Sequence, residues 1–391
     1  MRIAYLSADL GVPVFGTKGA SVHVRELCQA LASLGHEVEI LTARAGGPRP
    51  AGFDVPVHEI PAEGGDLRDR RALHAAAALR RRGLALLQDF SADVIYERYA
   101  LFGTAGSALA LELELPFLVE VNAPLSDEQA TYRKLALDLT ARRLERGVLR
   151  SADRVIVVSR WLRRWAIELG VEARRVAVLP NGVDPDRFKP TDAGGVVRAR
   201  LGLDGPIVGF LGTLKPWHDV PALIHAVARL GQAGRRAQLL VVGDGPERAA
   251  LEELARSERV EATFTGAVPH EQVPDYAAAL DVAVAPYARD DGFYFSPLKL
   301  VEYLAAARPV VAADIGEIGH CVRPGETGFL YRPGDVAGLA GSLAEALADP
   351  AAAASLGAAG RAHVCKEHTW EENARAVVEL AHAELSARQA V

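Results

Sequence analysis

Cysteine is scarce in this 391-residue chain. The three residues Cys28, Cys321 and Cys365 are odd in number and far apart. They define no disulfide framework and no metal-ligand spacing, and they fit a reducing compartment. An excess of positive charge is also missing. The 44 Lys and Arg against 50 Asp and Glu leave a formal charge of −6, which removes any global electrostatic case for nucleic acid. No apolar run reaches the roughly 18 residues that a membrane span needs. The opening "MRIAYLSADLGVPVFG" has one charge and a short apolar run, and it reads as a buried first strand and not as a secretory signal. What is present is ordinary for a globular protein: 50% hydrophobic and 24% charged residues. At this length two domains are expected.

Strand and helix patterns alternate along the chain. "RIAYLS", "VEILTA", "DVIYER", "FLVEV" and "RVIVVS" read as strands, and "ASVHVRELCQALASLGHEV" reads as a helix stopped at Gly35. Strand, helix, strand in this order predicts right-handed parallel crossovers. The alternation breaks at "LPNGVDPDRFKPTDAGG", which has the composition of turns and linkers. It restarts with "PIVGFLG", "VPALIHAVARLGQAG", "AQLLVVGDG", "ERAALEELARS", "VEATFTG", a helix from Val273 and "DVAVAPY". It closes with "PVVAA", "GFLY" and Ala-rich helices read as surface helix and turn. The fold class is therefore α/β, with two doubly wound Rossmann-like domains facing a cleft. The expected boundaries are 1–185, 186–365 and a C-terminal helix over 366–391 that is able to cross back to the first domain. Ligands of such sheets bind beyond the carboxyl ends of the strands.

The stretch "DDGFYFSPLKLVEYLAAARPVV" places a Gly-aromatic loop before a helix. Ser296 is predicted as the N-cap and Pro297 as the first helical residue. The amides of Leu298 and Lys299 then point out of a helix start that attracts phosphate, and the Lys299 ammonium adds a charge. Glu302 lies one turn deeper, where a carboxylate can accept from two ribose hydroxyls. The plainer alternative is a capped helix with a solvated Lys and Glu.

Together with "LPNGVD", "VVGDGPE" and "TFTGAVPHEQVPDYAAALDVAVAPY", the order and spacing of this stretch resemble the retaining glycosyltransferases of family four, which have the GT-B fold. The resemblance covers nearly the whole chain. It implies a hexosyltransferase-type enzyme that moves a sugar from a nucleotide-diphosphate sugar, UDP favoured over GDP, without a metal or other cofactor. It also implies roles for single residues. Glu302 matches the second glutamate of the family's pair and would grip ribose. Phe295, Ser296, Leu298 and Lys299 match the loop that meets the diphosphate. Gly243 and Gly245 match the turn near the nucleotide, Val268 the backbone near the base, and Gly16 and Gly19 the N-terminal loop that approaches the donor phosphates.

The chain departs from the family pattern at several positions. The first glutamate of the pair falls at Tyr294, the arginine of "G-R-L" at Thr213, the lysine of "K-G" at His218, and an N-terminal histidine at Asn122. The phosphate cations are then expected at Lys215 and Lys299. Asn122, Glu128 and Arg133 are candidates for the acceptor side. The acceptor itself is open between a lipid-linked sugar, a polysaccharide and a small metabolite, and the oligomeric state is unread. A second function class, a nucleotide-sugar-binding protein without transfer, follows from Tyr294 and Asn122 replacing two polar groups. A dehydrogenase is disfavoured because "ADLGVPVFGTKG" lacks the G-x-G-x-x-G fingerprint.

Three other features read more plainly. Asp184 and Asp186 look like a metal-binding D-x-D but lie inside the linker motif. Cys28 sits among apolar residues and reads as packing. Trp161 and Trp165 with Arg160, Arg163 and Arg164 could meet an anionic membrane surface, yet a helix with buried tryptophans and solvated arginines is the simpler reading. The expected location is cytoplasmic, with a peripheral contact at the inner membrane face left open.

Overall fold

Among the described residues, thirteen strands, all pairing in parallel, build two separate sheets. The computed structural model describes residues 1–62, 64, 67–288 and 292–389. The chain divides into two units, 1–180 with 370–391, and 181–369. The switch at 180/181 falls inside the Pro-Asn-Gly segment, five residues before the expected 185/186.

The first unit runs β1 (Arg2–Ser7), α1 (Gly19–Ser33), β2 (Glu37–Thr42), β3 (Val57–Glu59), α2 (Arg68–Phe90), β4 (Val94–Arg98), α3 (Ala105–Leu113) and β5 (Phe117–Val121). It continues with α4 (Leu125–Tyr132), α5 (Asp138–Ser151), β6 (Arg154–Val157), α6 (Arg160–Glu168) and β7 (Val176–Val178). Its sheet order is β3-β2-β1-β4-β5-β6-β7. The second unit runs α7 (Ala193–Leu201), β8 (Ile207–Leu211), α8 (Val220–Gln232), β9 (Gln238–Val242), α9 (Arg248–Ser257), β10 (Ala262–Phe264), α10 (Val273–Ala278) and β11 (Val282–Ala285). It ends with α11 (Leu298–Ala305), β12 (Val310–Ala313), α12 (Ile318–Cys321), β13 (Phe329–Tyr331), α13 (Val336–Ala348) and α14 (Pro350–Glu367), in sheet order β10-β9-β8-β11-β12-β13. The last helix, α15 (Trp370–Gln389), belongs to the first unit and packs on α1.

Helices on both faces explain why β8 "IVGFL" and β5 "FLVEV" are buried along their whole length, a near-continuous apolar run and not an alternating one. Both sheets reverse direction of growth once, between β1 and β4 and between β8 and β11. Such a switch point opens a crevice at the carboxyl ends of its strands. The three-residue edge strands β3 and β7 were not expected, because so short a segment carries no readable periodicity.

The Ala-rich C-terminal segment is more than surface helix. Asp349 caps α14 by accepting from the amides of Ala351 and Ala352. At Gly357 a Cβ would stand 2.3 Å from the Ala307 carbonyl oxygen, and at Gly360 one would stand 2.7 Å from Leu304. The small face of α14 thus lies against the end of α11 and fixes that helix from behind. Burial of Leu300, Val301 and Leu304 on α11 contributes roughly 1.5–3 kcal/mol each.

Candidate active site

The register Leu211↔Val242 continues past the ends of β8 and β9 into two turns. Gly212 N–H donates to Val242 O at 2.9 Å, and Leu214 N–H donates to Asp244 O at 2.9 Å. The turns touch backbone to backbone. A Cβ on Gly243, whose φ is +135°, would lie 2.0 Å from Gly212 O, and one on Gly245 would lie 2.3 Å from Leu214 O. Glycine at these two sites is therefore required by the neighbouring turn itself.

That turn presents Thr213, Lys215 and His218. Thr213 is exposed and its carbonyl accepts from His218 Nδ1 at 2.5 Å. A carbonyl can only accept, so Nδ1 carries the proton and Nε2 keeps its lone pair. Burial, then the charges of Lys299 and Lys215, hold the imidazole down to about 3, so it is neutral at physiological pH. Lys215 is half-buried with its ammonium 5.8 Å from the Trp217 ring centroid.

Lys299 was expected as a full charge beside the diphosphate, with a solvated side chain as the plainer alternative. The structure instead buries it beneath the Gly212 turn, with Nζ 4.5 Å from the Phe210 ring centroid and 5.3 Å from that of Tyr287. Burial pulls its ammonium down to about 7, against a smaller upward pull from Glu302. The full charge anticipated from the sequence is therefore only partly present near neutral pH.

The start of α11 also differs from expectation. The helix begins at Leu298 with Pro297 in the cap position, and Ser296 does not cap it. Ser296 Oγ accepts from Asn181 N–H at 2.9 Å, and its carbonyl accepts from Asn181 Nδ2 at 2.6 Å. Ser296 thus docks the "PNGVD" motif onto this loop. Helix geometry still leaves the Leu298 and Lys299 amides without an intrahelical acceptor. On the next turn Tyr303 Oη accepts from Leu211 N–H at 2.7 Å, which fastens α11 to the end of β8.

Glu302 is half-buried, with Oε1 3.7 Å from His270 Nε2. His270 in turn stands 3.4 Å from Arg187 Nη1 and meets the Phe188 ring edge-on. Sequence reasoning missed His270, although it lies two residues after Val268. Val268 is partly buried against the core of the second unit. Tyr294, in the place of the first glutamate, has its ring 4.3 Å from that of Phe295. Phe295 stacks on Trp217 at 6.3 Å and 17°. Asp290 and Asp291 lie outside the described residues.

In the first unit, Gly19 opens α1, and Gly16 closes a turn by donating to Pro13 O at 3.0 Å. Arg25 Nη1 ties the loop down by donating to Val14 O at 2.6 Å and Gly16 O at 2.8 Å. Asn122 Nδ2 donates to Glu120 Oε1 at 2.6 Å. Glu120 was not singled out from the sequence, although a lone carboxylate in "FLVEV" was a signal. His23 Nε2 stands 2.7 Å from Glu120 Oε1, Arg98 Nη1 stands 3.4 Å from it, and Tyr96 Oη donates to Oε2 at 2.8 Å. Burial alone would raise this carboxyl, but His23, Arg98 and Asn122 outweigh it and hold it at about 2. Of the other acceptor candidates, Glu128 is half-buried on α4 and Arg133 is exposed just after it.

The plainer reading holds for Cys28 and for part of the tryptophan helix, where Trp165 is buried but Trp161 and Arg163 are half-buried. Asp184 Oδ1 accepts from the amides of Asp186 and Arg187, a turn cap. Cys28 is buried in α1. Trp165 is buried with Nε1 3.4 Å from Asp127 Oδ2, while Arg160 and Arg164 are exposed. No helix among the described residues is long and apolar enough to cross a membrane.

Residues 17–187 match the family model "Glycosyltransferase Family 4", and residues 205–349 match "Glycosyl transferases group 1". The chain is 31% identical over 416 aligned positions to the D-inositol 3-phosphate glycosyltransferase of Nocardia farcinica, covering 98% of this chain and 90% of that one. Among solved structures, sucrose-phosphate synthase from Thermosynechococcus elongatus superimposes with a TM-score of 0.79 at 24% identity, covering 99% of this chain and 100% of that one. Anabaena HepE, solved with UDP and glucose, gives 0.75 at 20% identity and covers 100% of both chains. The chain belongs to glycosyltransferase family 4: it is a glycosyltransferase of GT-B fold that uses a nucleotide-sugar donor.

Proposed function

We propose that the chain transfers a hexose from a UDP-sugar with retention of anomeric configuration and without a divalent metal. The observation that carries this reading is the β8/β11 switch point. There Lys299, Lys215, the neutral His218 and the first amides of α11 gather, with Glu302 one turn below. Two cationic groups and a helix start suit a diphosphate, and Glu302 suits the ribose hydroxyls. The UDP bound to HepE favours that base here.

In the transfer, the bond from the sugar C1 to the diphosphate oxygen breaks and a bond from C1 to the acceptor oxygen forms on the same face. The acceptor proton passes to the departing diphosphate. Protonated Lys299 and Lys215 place two cations beside the charge that develops on the leaving group. This is electrostatic stabilisation plus positioning and needs no protein nucleophile. His218 Nε2 can accept a hydrogen bond from a sugar hydroxyl. In the first unit, Asn122, held by the buried Glu120, offers a polar group to the acceptor, whose identity is open among a lipid-linked sugar, a polysaccharide and a small metabolite. A cytoplasmic location belongs to the same reading.

The test is a panel of UDP- and GDP-sugars in chelator, with nucleotide diphosphate release and product anomer read by NMR. Release from a UDP-sugar with the donor's anomeric configuration kept supports the reading. Release only after Mg²⁺ or Mn²⁺ addition, or an inverted product, contradicts it.

A further inference from the structure

We propose that His363, Glu367 and His368, at the C-terminal end of α14, bind a zinc-class divalent cation whose fourth donor is the Cys321 thiolate. This site lies apart from the donor site and serves the second unit structurally.

The sequence "HVCKEH" puts His363 and Glu367 four residues apart, on one face of the last turn of α14. The helix stops at Glu367. His368 leaves it with φ −133° and ψ 50°, so its ring turns back beside that of His363, with centroids 5.5 Å apart. One donor atom from each of the three residues lies within 4.8 Å of the other two. His363 Nδ1 and Glu367 Oε2 stand 3.7 Å apart. On the other side His368 Nε2 faces Cys321 Sγ at 3.8 Å, and Cys321 is the buried last residue of α12.

Zinc bonds of about 2.0–2.1 Å to nitrogen and 2.3 Å to sulfur put tetrahedral donors roughly 3.3–3.8 Å apart. The His363–Glu367 and His368–Cys321 pairs already stand at that spacing. The His363 side chain is only 7% exposed, so the nitrogen that faces Glu367, Nδ1, would hold an ion largely out of water. Two imidazoles, one carboxylate and one thiolate exclude magnesium and calcium, which take oxygen ligands, and suit zinc. With four protein donors no open position remains, which marks a structural ion and not a catalytic one. It would clamp the end of α12 to the end of α14, the helix that backs α11.

The test uses chelator-stripped protein titrated with Zn²⁺ by calorimetry, then with Co²⁺ by absorption. One equivalent of Zn²⁺ is expected to bind and to raise the melting temperature. Glu367→Gln, at an exposed position that should fold, and His368→Gln are each expected to lower affinity about tenfold or more. The Co²⁺ form should show thiolate-to-metal charge-transfer absorption that Cys321→Ser removes. Zinc affinity unchanged in both Glu367→Gln and His368→Gln, or no saturable one-to-one binding, overturns the site. A cobalt form without thiolate absorption overturns Cys321 as the fourth donor.

Discussion

Lys299 pairs a cost in stability with the binding role proposed for it. In the unfolded chain its ammonium keeps a proton up to about 10.4, but in the folded chain only up to about 7. Between those values the unfolded state holds more protons, so this residue makes stability rise with pH across that window. A diphosphate favours the protonated form. UDP affinity should therefore fall as pH rises through about 7. The substitution Lys299→Met should remove that fall in calorimetric titrations, weaken binding about tenfold at pH 7, and raise the melting temperature at pH 7 by a few degrees (about 2–4 °C per kcal/mol for a unit of this size). A variant that keeps the wild-type pH profile would show that Lys299 never meets the nucleotide. Glu120 has the opposite sign. Its folded value near 2 lies below the ordinary carboxylate range. Its stabilising contribution is present above about 4.3 and is lost as pH falls toward 2. Glu120→Gln leaves the largely buried Arg98 guanidinium without its counter-charge. It should cost about 3–5 kcal/mol in denaturant unfolding and flatten the acid limb. These two residues were unequally legible. A carboxylate inside an apolar strand is visible in "FLVEV". The burial of Lys299 depends on Phe210 and Tyr287, residues distant in sequence that no local pattern brings together.

At the level of elements, the long strands and helices were readable because period and length agreed with punctuation by Gly and Pro. The Leu211–Val242 register and the loop positions beyond it were not. Gly243 was expected to serve the ligand, yet its missing side chain makes room for the Gly212 carbonyl. Ser296 followed the rules for a cap but is taken by Asn181, a tertiary contact that overrides the local preference. The glycine reading can be checked with a pair of variants. At Gly35, φ is +85° and nothing lies within 4 Å of an added Cβ, so Gly35→Ala should cost only about 1–2 kcal/mol of backbone strain. Gly243→Ala adds a backbone clash at 2.0 Å and should cost more than about 3 kcal/mol, with loss of UDP binding as the turn moves. Equal melting temperatures for the two variants would refute the close-approach account.

For the whole molecule, the switch-point topology is repeated in the two sheets, and the side chains gathered there differ. The second unit gathers cations and a helix start, and the first gathers a buried carboxylate with polar partners. Fold and donor class were legible in the order of the motifs, but the acceptor was not, because Asn122, Glu128 and Arg133 share no recognisable pattern. The central claim is that the second unit holds a nucleoside diphosphate with its ribose on Glu302. Calorimetry of UDP and 2′,3′-dideoxyuridine diphosphate against wild type and Glu302→Gln, at one fixed metal content, tests it most directly. A charge-assisted bond to ribose is worth roughly 1.5–3 kcal/mol, so Glu302→Gln should bind UDP about tenfold more weakly. The dideoxy nucleotide should bind wild type weakly and barely respond to the substitution, because one interaction cannot be lost twice. UDP affinity equal in wild type and Glu302→Gln would contradict the account at its centre and leave Glu302 as a structural partner of His270.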